Sequence, residues 1–118
     1  MNVLVSPSIL NADFLHLSDA VDVINKSEAD WLHLDIMDGI YVPNLTFGFP
    51  VISQIKSIAK KPLDVHLMIA EPDRHLERFK DAGADILTVH IETCTHLHRT
   101  IQHIHALGMK AGVALNPH

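Results

Sequence analysis

Residues 28–37 read Glu28-Ala29-Asp30-Trp31-Leu32-His33-Leu34-Asp35-Ile36-Met37, and residues 82–91 read Ala82-Gly83-Ala84-Asp85-Ile86-Leu87-Thr88-Val89-His90-Ile91. In each, a short junction of small and acidic residues leads out of a helical pattern into an apolar run of strand length. Recurrence of one junction at the same point of two units is the signature of a repeated strand–helix unit.

Similar apolar runs lie at 3–10, 62–69 and 110–115. Between the five runs, apolar residues recur at helical spacing: Leu15, Ala20, Val23 and Ile24; Val51, Ile52, Ile55 and Ile58; Leu76 and Phe79; Leu97, Ile101, Ile104 and Leu107. Pro50 after Gly48, Glu71-Pro72-Asp73 and the 93–95 stretch mark helix entries, while Gly83 and Gly108 stand where helices should stop. The predicted order is βαβαβαβαβ, an α/β chain. Strands joined by single helices must run parallel. That leaves an open doubly wound sheet or a (β/α)8 TIM barrel, and the repeated unit favours the barrel.

A barrel of this kind has eight units and about 250 residues. Residues 1–118 are therefore expected to form a single, incomplete barrel domain of four units and a fifth strand, ending mid-fold after Asn116-Pro117-His118. Its outer strands would be open edges and its inner face would lack an opposite wall. Self-association into a homo-oligomer is the expected response.

Composition narrows the function. The chain is 47% hydrophobic and 19% charged, as a folded domain should be, and its net charge of -5 without a basic run argues against nucleic acid as a partner. The opening residues lack a basic leader and are interrupted by Pro7, and no apolar stretch is long enough to span a membrane. A single cysteine, Cys94, read as a small packing residue, excludes an internal disulfide. A cytoplasmic protein with no membrane partner is expected. No glycine-rich nucleotide fingerprint, P-loop or nucleophile elbow occurs.

Alternation places His33, Asp35 and Met37 on one face of their strand, and His66 and Met68 on one face of the next. Ligands of parallel β/α folds bind at the C-terminal ends of strands, so His33, Asp35 and His66 should converge there. Two imidazoles and a carboxylate suit a divalent transition metal; buried polar residues satisfied by hydrogen bonds would give the same pattern. Ser8 is placed to offer a hydroxyl in the same mouth, or to cap a turn. His90, with Thr88 and Glu92 on its face, is read as structural, with a place around the ligands as the alternative. Residues 39–48, GIYVPNLTFG, form a glycine-flanked loop suited to folding over a site. His16, His75, His96, His98, His103, His105 and His118 are assigned to surface or packing.

Ser6-Pro7-Ser8-Ile9-Leu10, His33-Leu34-Asp35-Ile36-Met37-Asp38-Gly39, Val42-Pro43-Asn44, Asp64-Val65-His66-Leu67-Met68 and Leu115-Asn116-Pro117 occur here in one order and spacing. Together they make the chain resemble the ribulose-phosphate 3-epimerases. The resemblance implies an isomerase of the pentose phosphate pathway that interconverts D-ribulose 5-phosphate and D-xylulose 5-phosphate through an enediolate. It also implies one divalent metal, zinc or iron with manganese or cobalt as alternatives, held by His33, Asp35 and His66. Asp35 would double as acid/base, Ser8 and His66 would contact the sugar phosphate, and Met37 and Met68 would line its pocket. The resemblance implies a second catalytic aspartate and a phosphate-binding loop, both absent from this sequence. An allulose 6-phosphate 3-epimerase and an inactive half-barrel that only binds metal or self-associates are the alternatives.

Overall fold

Four of the apolar runs form strands in a computed structural model that describes residues 2–117: β1 (Leu32–Met37), β2 (Leu63–Met68), β3 (Ile86–His90) and β4 (Lys110–Ala114). His118, expected at the surface, lies outside the described residues. The strands pair in sequence order and every pair is parallel. Helix α1 (Leu17–Lys26) precedes β1, and α2 (Phe49–Ile58), α3 (Leu76–Ala82) and α4 (Leu97–Ala106) each cross between consecutive strands. This is the architecture of consecutive units of a (β/α)8 barrel.

The helices cover one face of the sheet. Leu32, Leu34, Leu63, Val65, Leu67, Leu87 and Val89 point into them and are fully buried, packed in one cluster with Val21, Ile52, Leu76 and Ile104. Burying each such side chain stabilises the fold by about 1.5–3 kcal/mol. Helix α1 buries Val21 and Ile24, leaving Val23 exposed, as is Leu15 in the 3-10 turn before it; α2 buries Ile52 and Ile55, leaving Ile58 half exposed. These two helices thus each bury a stripe of two residues three apart, narrower than the apolar pattern suggests. α3 stops at Gly83, whose φ of 122° is open to glycine alone at little cost.

The expected first strand is an edge segment rather than a laddered strand. Ser8 pairs with His33 in one parallel bridge, with the His33 N–H donating to Pro7 O and the Ile9 N–H donating to His33 O. One step earlier, the Trp31 N–H donates to Val5 O, but the return bond needs an N–H from Pro7, which has none. Proline therefore keeps the ladder from extending back from this bridge.

The two repeated junctions have one structural task. Asp30 receives the Val5 N–H on its side chain at 2.7 Å and donates its own N–H to Val5 O. Asp85 does both to Leu63, at 2.8 Å to the side chain. Asp30 fastens the approach to β1 to the edge segment, and Asp85 fastens the approach to β3 to the start of β2. No helix among the described residues is long and apolar enough to cross a membrane.

Candidate active site

The face of the sheet away from the helices is polar. Strand register sets His33 beside Asp64, Asp35 beside His66, and Met37 beside Met68, with Thr88 of β3 flanking His66. Parallel pairing without offset thus builds rows of side chains that cross the strands, as alternation along each strand requires. Ser6 and Ser8 reach the same face from the edge segment through Asp64 and Asp35.

Asp35 is the hub. Its Oδ1 lies 3.0 Å from His33 Nε2 and 3.4 Å from His66 Nδ1, and its Oδ2 accepts the Ser8 hydroxyl. Asp64 stands behind His33: its Oδ2 is 2.8 Å from His33 Nδ1 and accepts the Ser6 hydroxyl at 2.8 Å. His66 Nε2 is 2.9 Å from His90 Nε2. Burial works against ionisation of Asp35, but hydrogen bonds from His33 and Ser8 outweigh it and hold the carboxyl well below the usual range. Asp64 is likewise lowered against its burial by His33 and Ser6. Hydrogen bonding to Asp35 and then Asp64 pushes His33 up to about 9.

These preferences define what the centre can accept. If His33 is neutral and donates Nδ1–H to Asp64, its Nε2 lone pair faces Asp35 Oδ1, a second acceptor. Only positive charge between them satisfies both, supplied by a proton or a metal ion. One donor atom each from His33, Asp35 and His66 lies within 4.8 Å of the other two. Two imidazole nitrogens and a carboxylate oxygen, with a further carboxylate behind one ring, are a donor set that fits a divalent metal ion.

The structure brings Ser8, His33, Asp35 and His66 together, with Met37 and Met68 one row beyond, half-buried at the strand ends. The Ser8 hydroxyl also accepts the Leu10 N–H, so both the site role and the turn role expected of it are present. His90 is buried, as a structural histidine should be, yet touches a member of the cluster. The other described histidines lie apart from it: His16, His96, His98, His103 and His105 are exposed, and His75 packs on Phe49. Cys94 is half-buried and its thiol is pushed up by burial.

Sequence reasoning missed Asp64. The signal was available, because Asp64 and His66 are two residues apart and share a face, but a carboxylate at a strand start reads as solvent-exposed. The 39–48 loop is pinned to β1: the Thr46 N–H donates to Met37 O and the Thr46 hydroxyl donates to Asp35 O. Asp38 accepts the N–H groups of Ile40, Tyr41 and Ala70, which lower its carboxyl despite burial. A cavity of about 370 Å³ at the C-terminal ends of β1 and β2, lined by Ile36, Met37, Asp38, Phe47, Ile69 and Phe79 among others, takes in Met37 but none of His33, Asp35 and His66.

Known proteins resemble this chain along nearly all of it. A ribulose-phosphate 3-epimerase from Bacillus subtilis is 54% identical over 114 residues, covering 97% of this chain and 52% of that protein. One from Synechocystis is 50% identical over 118 residues, covering 98% and 51% respectively. A chloroplastic ribulose-5-phosphate-3-epimerase from Arabidopsis thaliana is 48% identical over 118 residues, covering 98% and 42%. The chain spans about half the length of the first two relatives and less of the third. The family description "Ribulose-phosphate 3 epimerase family" matches residues 4–118, and with this extent of identity the chain belongs to that family.

Proposed function

We propose that this chain carries one half of the machinery for epimerisation at C3 of a ketopentose phosphate, D-ribulose 5-phosphate to D-xylulose 5-phosphate. The observation that supports it best is the convergence of His33, Asp35 and His66, with the second nitrogen of each ring already engaged by Asp64 or His90. His33, Asp35 and His66 would hold a divalent metal, zinc or iron, which supplies Lewis-acid stabilisation of negative charge on substrate oxygen.

Asp35 then has a divided role. Its Oδ1 faces the two histidines, which leaves Oδ2, held by the Ser8 hydroxyl, as the oxygen that takes the proton from C3. The carboxyl is ionised at neutral pH, as a base must be. Loss of that proton beside the C2 ketone leaves an enediolate, and inversion requires protonation from the opposite side. Asp64 is engaged with His33 and Ser6, so no second unengaged carboxylate lies on this face of the sheet among the described residues. The opposing acid/base group is assigned to another segment of the protein. Met37 and Met68 are assigned to the wall of the sugar pocket, and Ser8 and His66 to contact with the substrate.

The test is exchange of the C3 proton of ribulose 5-phosphate in deuterated water with added zinc. The chain should exchange it, and Asp35→Asn should lose on the order of 10²–10⁴ in rate while remaining folded. Exchange that survives Asp35→Asn removes Asp35 from the chemistry, and absence of exchange in the parent chain overturns the reading that this half of the machinery works alone.

A further inference from the structure

We infer that Glu92 is a positioning residue for His66, acting through His90. The inference rests on the metal-binding reading above. Glu92 lies in the 3-10 turn Ile91–Thr93 that follows β3, and its carboxylate can only accept hydrogen bonds. The Asn116 N–H donates to Oε2 at 2.9 Å, and the Tyr41 hydroxyl donates to Oε1 at 2.9 Å. The Asn116 side-chain amide donates to the Tyr41 oxygen at 2.6 Å, which directs the phenolic proton to Glu92. Three connections, after β1, β3 and β4, thus meet on one carboxylate.

His90 Nδ1 is 3.3 Å from Glu92 Oε1. A carboxylate at that distance selects the tautomer with the proton on Nδ1, leaving a lone pair on His90 Nε2. That lone pair sits 2.9 Å from His66 Nε2, so the His66 proton belongs on Nε2. His66 then presents Nδ1 as a lone pair 3.4 Å from Asp35 Oδ1, a second acceptor, so here too positive charge between the two is what satisfies both. The planes of His66 and His90 lie 22° from parallel with centroids 4.9 Å apart, and the Tyr41 ring lies 5.1 Å from His90. Both imidazoles therefore have little freedom to turn over. Asp64 performs the same service for His33 by direct contact; Glu92 performs it for His66 one ring removed.

The experiment is ¹⁵N NMR of the histidine-labelled, metal-free chain, with cobalt(II) titration followed by its visible absorption. The parent should show protonated Nδ1 on His90 and protonated Nε2 on His66. Glu92→Ala should mix the tautomers of both rings and weaken cobalt binding roughly 10–100-fold, the range for removing support behind a ligand. Glu92→Gln keeps a carbonyl oxygen for His90 and should restore both properties. A purely structural clasp would leave the tautomers unmoved in any folded variant, so unchanged His66 and His90 signals with unchanged cobalt affinity in Glu92→Ala overturn the inference. If the parent chain binds no cobalt, the metal reading fails, and the tautomers alone decide the role of Glu92.

Discussion

Leu34 and Asp35 are neighbours in β1, and their side chains enter opposite kinds of surroundings. Leu34 joins the fully buried cluster beneath the helices, where contacts are non-directional and any side chain of suitable volume would serve. Asp35 joins the polar face, where Ser8, His33 and His66 must each point a particular atom at it. The helix face holds the strands in register, and the register then aligns the polar rows. Stability and chemistry are therefore carried by alternate residues of the same strands, and each can be perturbed while the other is watched.

The largest effect expected is on the helix face. Leu34→Ala should cost about 2–5 kcal/mol in urea unfolding, with cobalt affinity of the folded fraction unchanged. Weakened binding in fully folded variant would break the separation of the two faces. Gly112→Ala should cost less, about 1–3 kcal/mol, but should act on both properties. An added Cβ would sit 2.2 Å from the Thr88 hydroxyl oxygen, and Thr88 would have to move where it flanks His66. Adding Thr88→Ala should recover most of the loss; if it does not, the close approach is not the cause.

The smallest effect expected is a pH dependence confined to the polar face. His33 is raised from its ordinary 6.5 to about 9, while Asp35 and Asp64 are lowered and stay ionised across that interval. A group whose folded value is raised contributes fully below its unfolded value and less as pH rises through its folded value. Without metal, the chain should therefore lose on the order of 1–2 kcal/mol between pH 6.5 and 9, after the opposing cost of burying the charges. Urea midpoints in chelator at several pH values measure this, and His33→Gln should flatten the curve. A curve that keeps its slope in that variant assigns the dependence elsewhere.

Much of this architecture was legible in the sequence. The alternation in 32–37 and 63–68 and the glycine stops at Gly83 and Gly108 gave four parallel strands and their crossovers, because these signals are local. The edge segment was less legible: its apolar residues read as a strand, and the consequence of Pro7 depends on which N–H faces its neighbour. His33, Asp35 and His66 could be brought together from periodicity and strand order alone. Alternation also put Asp64 on the face of His66 and Glu92 on that of His90, but it could not set them against His33 or Tyr41. Asp64 needs the register between two strands, and the meeting of Tyr41 with Glu92 needs the path of a ten-residue loop.

The junctions at Asp30 and Asp85 bear on how the protein emerges from the ribosome. Each aspartate reaches back to a segment already made, the edge segment at Val5 and β2 at Leu63, and needs nothing synthesised later. Neighbours in the sheet are neighbours in the chain throughout. Assembly can therefore follow the direction of synthesis, each unit docking on the last while the next is still being translated, and the exposed edge moves forward with the growing chain.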